Sequence, residues 1–233
     1  MDEGKHVSPV KLLEKCFLFQ ALDEPAREEL AVHAARHSFR SGETVCNLGD
    51  PGDSMMVIVT GSVRVYLPAP KGKEIVLATL AAGEVLGEIS VLDGGERSAA
   101  VAALTNCDLL YLHRRDILPV LTKRPEACLK LLEVLCGRVR RSNETVSDMM
   151  FFDLPTRLAK ALIRQTGAPG GASYSAKVSA SQSELARLIG GTRESVNRAL
   201  RDWQRRRVLD LKDGWIIILD HDALAVLAGR EAE

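Results

Sequence analysis

Two short stretches of this 233-residue chain hold residues whose types and spacing suit molecular recognition. The first is Gly83 to Ala100, GEVLGEISVLDGGERSAA. Its glycines let a backbone turn tightly and bring N–H groups close to an anion. Arg97 supplies a fixed cationic fork and Ser98 a hydroxyl, which together make a sensible phosphate clamp. Glu88 is placed to accept hydrogen bonds from a sugar hydroxyl. The same residues also suit an ordinary hairpin carrying a Glu–Arg surface pair, and spacing by itself leaves both readings open.

The second stretch runs from Ser181 to Trp203. Ser181-Gln182-Ser183-Glu184 is a capping box that predicts a helix containing Leu185, Leu188 and Ile189. Gly190-Gly191 predicts a turn, and Thr192 the cap of a second helix. At about 100° per residue, that helix gathers Val196, Ala199, Leu200 and Trp203 on one side. Arg193, Glu194, Asn197, Arg198 and Arg201 fall on the other. Arginine suits guanine O6/N7 and glutamate accepts from a cytosine amino group. A solvated amphipathic helix would segregate its residues the same way, so charge has to help. The chain is neutral overall, yet residues 156–212 hold 12 Lys+Arg against 4 Asp+Glu. That imbalance points to a polyanion partner for this part of the chain. Val208–Leu211 and Trp215–Ile218 flank Lys212-Asp213-Gly214, a hairpin signal read as a wing. Arg205, Arg206 and Arg207 are non-specific phosphate contacts or merely a soluble face.

Several elements must position these residues. Ser8-Pro9 and Asp23-Glu24-Pro25 open two short N-terminal helices. From Phe39 to His113 short β-rich runs alternate with glycine turns, predicting an antiparallel sandwich or roll. Pro125 to Phe152 is then one long helix. Cys128, Leu132, Leu135, Val139, Ser142, Val146 and Met149 recur on it at alternating spacings of four and three, a heptad seam. Such a stripe suits a second copy of itself, or a surface helix packed on its own domain. Asp153 and Pro155 mark a break, the natural hinge, and residues 167–175 read as a loop. The expected class is therefore α+β. An N-terminal antiparallel β-roll with its helices covers residues 1–124, a dimerisation helix 125–152, and a winged helix-turn-helix 153–233.

Composition excludes other classes. The five cysteines form no ligand-like spacing and read as reduced core residues; the five histidines make no metal cluster. No metal site and no catalytic dyad is expected, hence no enzyme. The charged N-terminus is not a signal peptide, and no apolar run approaches the roughly 18 residues of a membrane helix. The expected compartment is cytoplasmic.

The segment 83–100 resembles the phosphate-binding cassette of cyclic-nucleotide-binding domains, most of all that of the cyclic-AMP receptor (CRP/FNR) family of bacterial regulators. GTRESVNRAL, residues 191–200, resembles the recognition helix of the same family, and the order of roll, long helix and helix-turn-helix covers essentially the whole chain. The resemblance implies that Glu88 holds the ribose 2′-hydroxyl and that Arg97 and Ser98 hold the cyclic phosphate, with Gly87 and Ile89 completing the ligand set. It also implies that Ser142 and Asn143 meet the base. A hydroxyl-then-Asn pair is similar to actinobacterial-type cyclic-AMP receptors and departs from the two hydroxyls of the enterobacterial type. Because both side chains donate and accept, cyclic GMP stays open beside cyclic AMP. Arg193, Glu194 and Arg198 match the family's base-contacting trio, which implies TGTGA-like half-sites; Ser181 and Thr192 suit phosphate, and Asn197 the same surface. The implied partners are double-stranded DNA, a second copy of the chain across Leu132, Leu135, Val139, Val146 and Met149, and RNA polymerase.

Overall fold

The computed structural model describes residues 8–70, 73–166 and 177–229. The chain is mixed α and β and divides into two compact units. One takes the described residues up to Pro68 together with Leu77–Arg140; the other takes Ala69–Val76 and the described residues from Arg141 onward. The expected loop at 167–175 lies outside the described residues.

The first unit opens with α1 (Pro9–Lys15), a 3-10 turn (Phe17–Ala21) and α2 (Glu24–Val32). Asp23 caps α2 by accepting from the Ala26 amide at 3.2 Å. Strands β1 (Ala35–Phe39), β2 (Thr44–Cys46), β3 (Ser54–Thr60), β4 (Ser62–Ala69), β5 (Lys73–Ala81) and β6 (Val85–Leu86) follow. Then come α3 (Glu88–Asp93), β7 (Ala100–Ala103), β8 (Cys107–His113) and α4 (Arg114–Thr122), and α5 (Pro125–Phe151) begins. The strands form two four-stranded sheets, in the orders β1-β8-β3-β6 and β2-β7-β4-β5.

Strand β3 shows why its sequence is apolar without alternation. Met56 and Ile58 enter the core between the sheets, with Val63, Leu86, Val101 and Leu109. Met55 and Val57 face the opposite way, into a second core with Leu13, Phe19, Leu30, Ile117 and Leu131. A strand buried on both faces needs hydrophobic residues at successive positions. At the sheet edge, Asp108 accepts from Ser38 (2.5 Å), Arg36 (2.6 Å) and Thr60 (3.2 Å), tying β1, β3 and β8 together. These bonds, that from Ser38 first and then that from Arg36, hold the Asp108 carboxyl below its ordinary value.

The second unit holds the rest of α5, α6 (Leu154–Thr166), β9 (Lys177–Val178), α7 (Gln182–Ile189), α8 (Arg193–Arg205), β10 (Leu209–Lys212), β11 (Trp215–Ile218) and α9 (His221–Leu227). Leu158, Leu162, Leu185, Val196, Leu200 and Trp203 pack with Ile216 and Leu224 as one core. Asp153 caps α6 through the Thr156 amide at 2.9 Å, where the sequence predicts the break. A buried carboxylate, Asp148, spans that break: Lys160 Nζ reaches it at 2.6 Å and Arg164 Nη2 at 3.0 Å. Lys160 also lies 3.7 Å above the Phe152 ring.

The expected seam of α5 is divided by burial. Leu132, Val139 and Val146 are exposed, whereas Leu135 and Met149 are half-buried. The outward stripe continues instead through Leu129, Cys136, Asn143 and Met150, the last 73% exposed. Leu129, Leu132, Cys136, Val139, Asn143, Val146 and Met150 alternate spacings of three and four, with Asn143 in an a-type position.

Candidate ligand pocket and nucleic-acid interface

Gly87 to Ser98 is not an ordinary hairpin. Gly87 has φ +78° and caps α3, so that Glu88 begins a helix instead of a turn. Glu88 is 0% exposed and Arg97 6%. Their guanidinium and carboxylate do not pair with each other, which removes the reading as a surface pair. Arg97 donates from Nη1 to the Ser54 carbonyl (2.7 Å) and the Gly87 carbonyl (3.3 Å), and from Nη2 to Ser54 Oγ (2.9 Å). Its own backbone is fastened on both sides, by Arg97 N to the Asp50 carbonyl at 2.8 Å and by Gly49 N to the Arg97 carbonyl at 2.9 Å. A Cβ on Gly87 would fall 2.3 Å from Arg97 Nη1, so only glycine permits both the left-handed turn and this approach.

Glu88 has a partner that the sequence did not announce. Arg138 of α5 donates to Glu88 Oε1 and to the Val85 carbonyl. On sequence it belongs to the wet side of the long helix; only its place in the fold brings it here. At this site Glu88 Oε2 and Arg97 Nε are among the buried side-chain atoms without a hydrogen bond. A buried orphan costs about 1–3 kcal/mol and calls for a partner. An acceptor and a cationic donor on either side of Gly87 fit a molecule offering a hydroxyl and an anion, the chemistry of a sugar phosphate. Ser98 is exposed beside Arg97, and Ile89, 39% exposed, follows Glu88. Ser142 and Asn143 are both exposed on α5, in the other unit.

In the second unit the predicted capping box is present: Ser181 Oγ accepts from the Glu184 amide at 3.2 Å and Glu184 Oε2 from the Ser181 amide at 2.7 Å. Thr192 caps α8 through the Ser195 amide at 3.2 Å. The two glycines between these helices do different work. Gly190 takes φ +64°, whereas a Cβ on Gly191 would stand 2.6 Å from Leu154 Cδ1. On α8, Val196, Leu200 and Trp203 are buried while Arg193, Glu194, Arg198 and Arg201 are exposed. Asn197 is half-buried, and its Oδ1 accepts from Gln182 Nε2 and Arg201 Nε, both at 3.3 Å. It therefore links α7 to α8 and steadies Arg201. Asp213 (φ +52°) and Gly214 (φ +80°) close the β10–β11 hairpin with left-handed residues at both turn positions, as a type I′ turn requires.

Comparison with known proteins settles the lineage. Residues 36–124 match the family model of the cyclic nucleotide-binding domain, and residues 156–227 that of the Crp-like helix-turn-helix domain. A CRP-like cAMP-activated global transcriptional regulator of Mycobacterium tuberculosis is 31% identical over 218 residues, 92% of this chain and 97% of the relative. The chain belongs to the CRP/FNR family of transcription regulators. The cyclic AMP receptor protein of Thermus thermophilus is 30% identical over 212 residues, 91% of this chain and 96% of that one. A solved structure of the c-di-GMP responsive global regulator CLP of Xanthomonas campestris shares the fold, with TM-score 0.74 and 22% identity over 84% of this chain and 99% of that chain. Members of this CRP/FNR family are transcription regulators, not enzymes, and the helix-turn-helix domain marks this chain as DNA-binding. Among the described residues no helix is long and apolar enough to cross a membrane, and no cluster of His, Cys, Asp and Glu is built to hold a metal.

Proposed function

We propose that this CRP/FNR regulator is a cyclic-nucleotide-gated homodimer that binds TGTGA-like palindromes, with cyclic AMP as its effector. The observation that carries the effector reading is the pair of buried groups flanking Gly87, each with one unsatisfied atom. Glu88 Oε2 takes the ribose hydroxyl, and Arg97 with Ser98 takes the cyclic phosphate. The names of the relatives from Mycobacterium tuberculosis and Thermus thermophilus favour cyclic AMP. Ser142 and Asn143 serve adenine's amino group or guanine's carbonyl alike, so cyclic GMP is the second reading.

The exposed stripe of α5 supports the dimer. Two copies in parallel bury Leu129, Leu132, Val139, Val146 and Met150, and an asparagine at a single a position fixes register and favours two strands. Two copies of α8 then address half-sites about 34 Å apart. Ligand alters DNA affinity only by its differential affinity for two states, with the break at Asp153 as the hinge. RNA polymerase is the further partner, and the cytoplasm the compartment.

Calorimetric titration with cyclic AMP and cyclic GMP, on wild type and Arg97→Gln, tests the pocket. Wild type should bind cyclic AMP more tightly and Arg97→Gln neither; equal affinity of the two proteins rejects the assignment. Sedimentation should give a dimer for wild type and a monomer for Val139→Lys. A duplex bearing two TGTGA half-sites should gain affinity when cyclic AMP is added; unchanged affinity favours a nucleotide-independent regulator of the same family.

A further inference from the structure

Glu88 opens α3, a helix of six residues. A helix this short closes few bonds of its own, because its last four carbonyls have no partner within it. Where Glu88 stands relative to Arg97 therefore depends on what holds α3 from outside.

Arg114, the first residue of α4, holds its end. Gly94 closes α3 at φ +75° by donating its amide to the Ser90 carbonyl at 2.9 Å. Arg114 Nε donates to the next carbonyl, that of Val91, at 2.8 Å. A Cβ on Gly94 would lie 3.6 Å from Arg114 Nη2, so the guanidinium lies against the last turn. A cation there also meets the negative end of the helix dipole. Its neighbour Arg115 is different: the side chain is 81% exposed, and its ion pair at 3.7 Å is with Asp116, the next residue.

The same Arg114 is tied to the strand that anchors Arg97. Its amide donates to the Asp53 carbonyl at 2.7 Å. Asp53 is the middle one of three consecutive residues with three separate holds. Gly52 packs on α3, where a Cβ would stand 2.1 Å from Ser90 Cβ and 2.6 Å from the Gly95 carbonyl oxygen. Asp53 takes the Arg114 amide. Ser54, 3% exposed, takes both Nη atoms of Arg97. Arg114 is thus bonded through its side chain to the helix of Glu88, and through its backbone to the residue before the anchor of Arg97.

We propose that Arg114 is a positioning residue of the ligand pocket, setting Glu88 at the separation from Arg97 that one cyclic nucleotide spans. It acts through the carbonyls of Val91 and Asp53. The inference rests on the reading of Glu88 as acceptor of the ribose 2′-hydroxyl. Arg97 has holds of its own at Ser54, Gly87, Asp50 and Gly49. Glu88 is placed by α3, with Arg138 at one end and Arg114 at the other. Loosening Arg114 therefore costs the ribose contact and spares the phosphate contact.

Calorimetric titration of the full-length protein with cyclic AMP and with its 2′-deoxy analogue tests this, because the analogue makes no bond to Glu88. Wild type should prefer cyclic AMP by about tenfold or more, the worth of a hydrogen bond to a charged group. Arg114→Gln should lose most of that preference through cyclic AMP alone, with the analogue bound as in wild type. Arg114→Lys keeps a cationic donor and should give an intermediate preference, which also carries the test if melting curves show the glutamine variant unfolded. Arg115→Gln removes the neighbouring charge and should keep the whole preference. Equal losses for the two nucleotides would mark a general support of the fold, and Arg114 variants with the full preference would leave the residue no part in the pocket; either result overturns the proposal. A wild type that binds neither nucleotide, or both alike, overturns the ribose role of Glu88 on which it rests.

Discussion

Arg138, at the middle of α5, donates to the buried carboxylate of Glu88 and to the carbonyl of Val85. The pair fastens the long helix to the residue that begins α3, so α3 and α5 share a strut. Removing one member of a buried pair leaves a charge without a partner, at a cost of about 3–5 kcal/mol. Arg138 is partly exposed, so the lower end applies. Arg138→Leu should lose about 3 kcal/mol in denaturant unfolding, and Arg138→Leu with Glu88→Gln should lose less than the single change. Additive losses would mean that the pair is not coupled.

Gly87→Ala should be costlier than its single methyl suggests. The left-handed backbone strains any L residue by about 1–2 kcal/mol, and the new Cβ pushes against Arg97 Nη1. Gly42→Ala is the control, since it shares a positive φ (+89°) with nothing within 4 Å of the added carbon. Both should lower the melting temperature, but only Gly87→Ala should also abolish calorimetric nucleotide binding.

Asp148 holds Lys160 and Arg164 across the break between α5 and α6. Asp148→Ala should destabilise the second unit by about 1–2 kcal/mol, because its charge-assisted bonds are lost while the two cations left behind remain partly in water. Amide exchange at the start of α6 should accelerate with it. Exchange that quickens only elsewhere would remove Asp148 as the tie.

Acid should loosen the edge of the first sheet. Because Asp108 titrates below its unfolded value of about 3.9, its contribution is full above that pH and is lost as the pH falls through the folded value. Asp108→Asn should lower stability at pH 7 by about 1–2 kcal/mol through its bonds to Ser38 and Arg36. The difference from wild type should shrink below about pH 4, as measured by urea unfolding. A gap of constant size from neutral pH down to about pH 3 would show that ionisation is irrelevant.

On α8, Arg193→Ala should cost about 1–3 kcal/mol in affinity for the palindrome and relax its sequence preference at fixed salt. Asn197→Ala should behave differently. Its oxygen is engaged by Gln182 and Arg201, so its loss should lower helix-turn-helix stability more than it alters base preference. A position-specific change in preference would restore it as a reader of bases.

Features that depend on neighbours in the chain were legible in the residue order. The capping box at Ser181, the Thr192 cap, the Asp213-Gly214 turn and the break at Asp153 are all present where local chemistry puts them. The cassette was recognisable only through its resemblance to that of the CRP/FNR family, since the spacing of its residues leaves an ordinary hairpin equally open. Strand β1 was missed: Ala-Arg-His-Ser-Phe is largely exposed and carries no apolar alternation, and it is held by pairing with β8, 70 positions away. The α3 helix inside the cassette was missed because six residues between two glycines give too few turns for a period to show.

The sequence by itself determined the types of recognising group, their caps and turns, and the threefold-and-fourfold rhythm of α5, because each is a matter of residues within a few positions of one another. Only the tertiary structure decided burial and partnership. It turned Glu88 and Arg97 inward, with Ser54 and Arg138 as their partners. It separated Leu135 and Met149 from the exposed stripe and brought Leu129 and Met150 into it, and it engaged Asn197 with Gln182. The physical reason is common to all of these. Desolvation and long-range hydrogen bonding depend on what the rest of the chain packs against a side chain, and nothing in a residue's local neighbourhood specifies that.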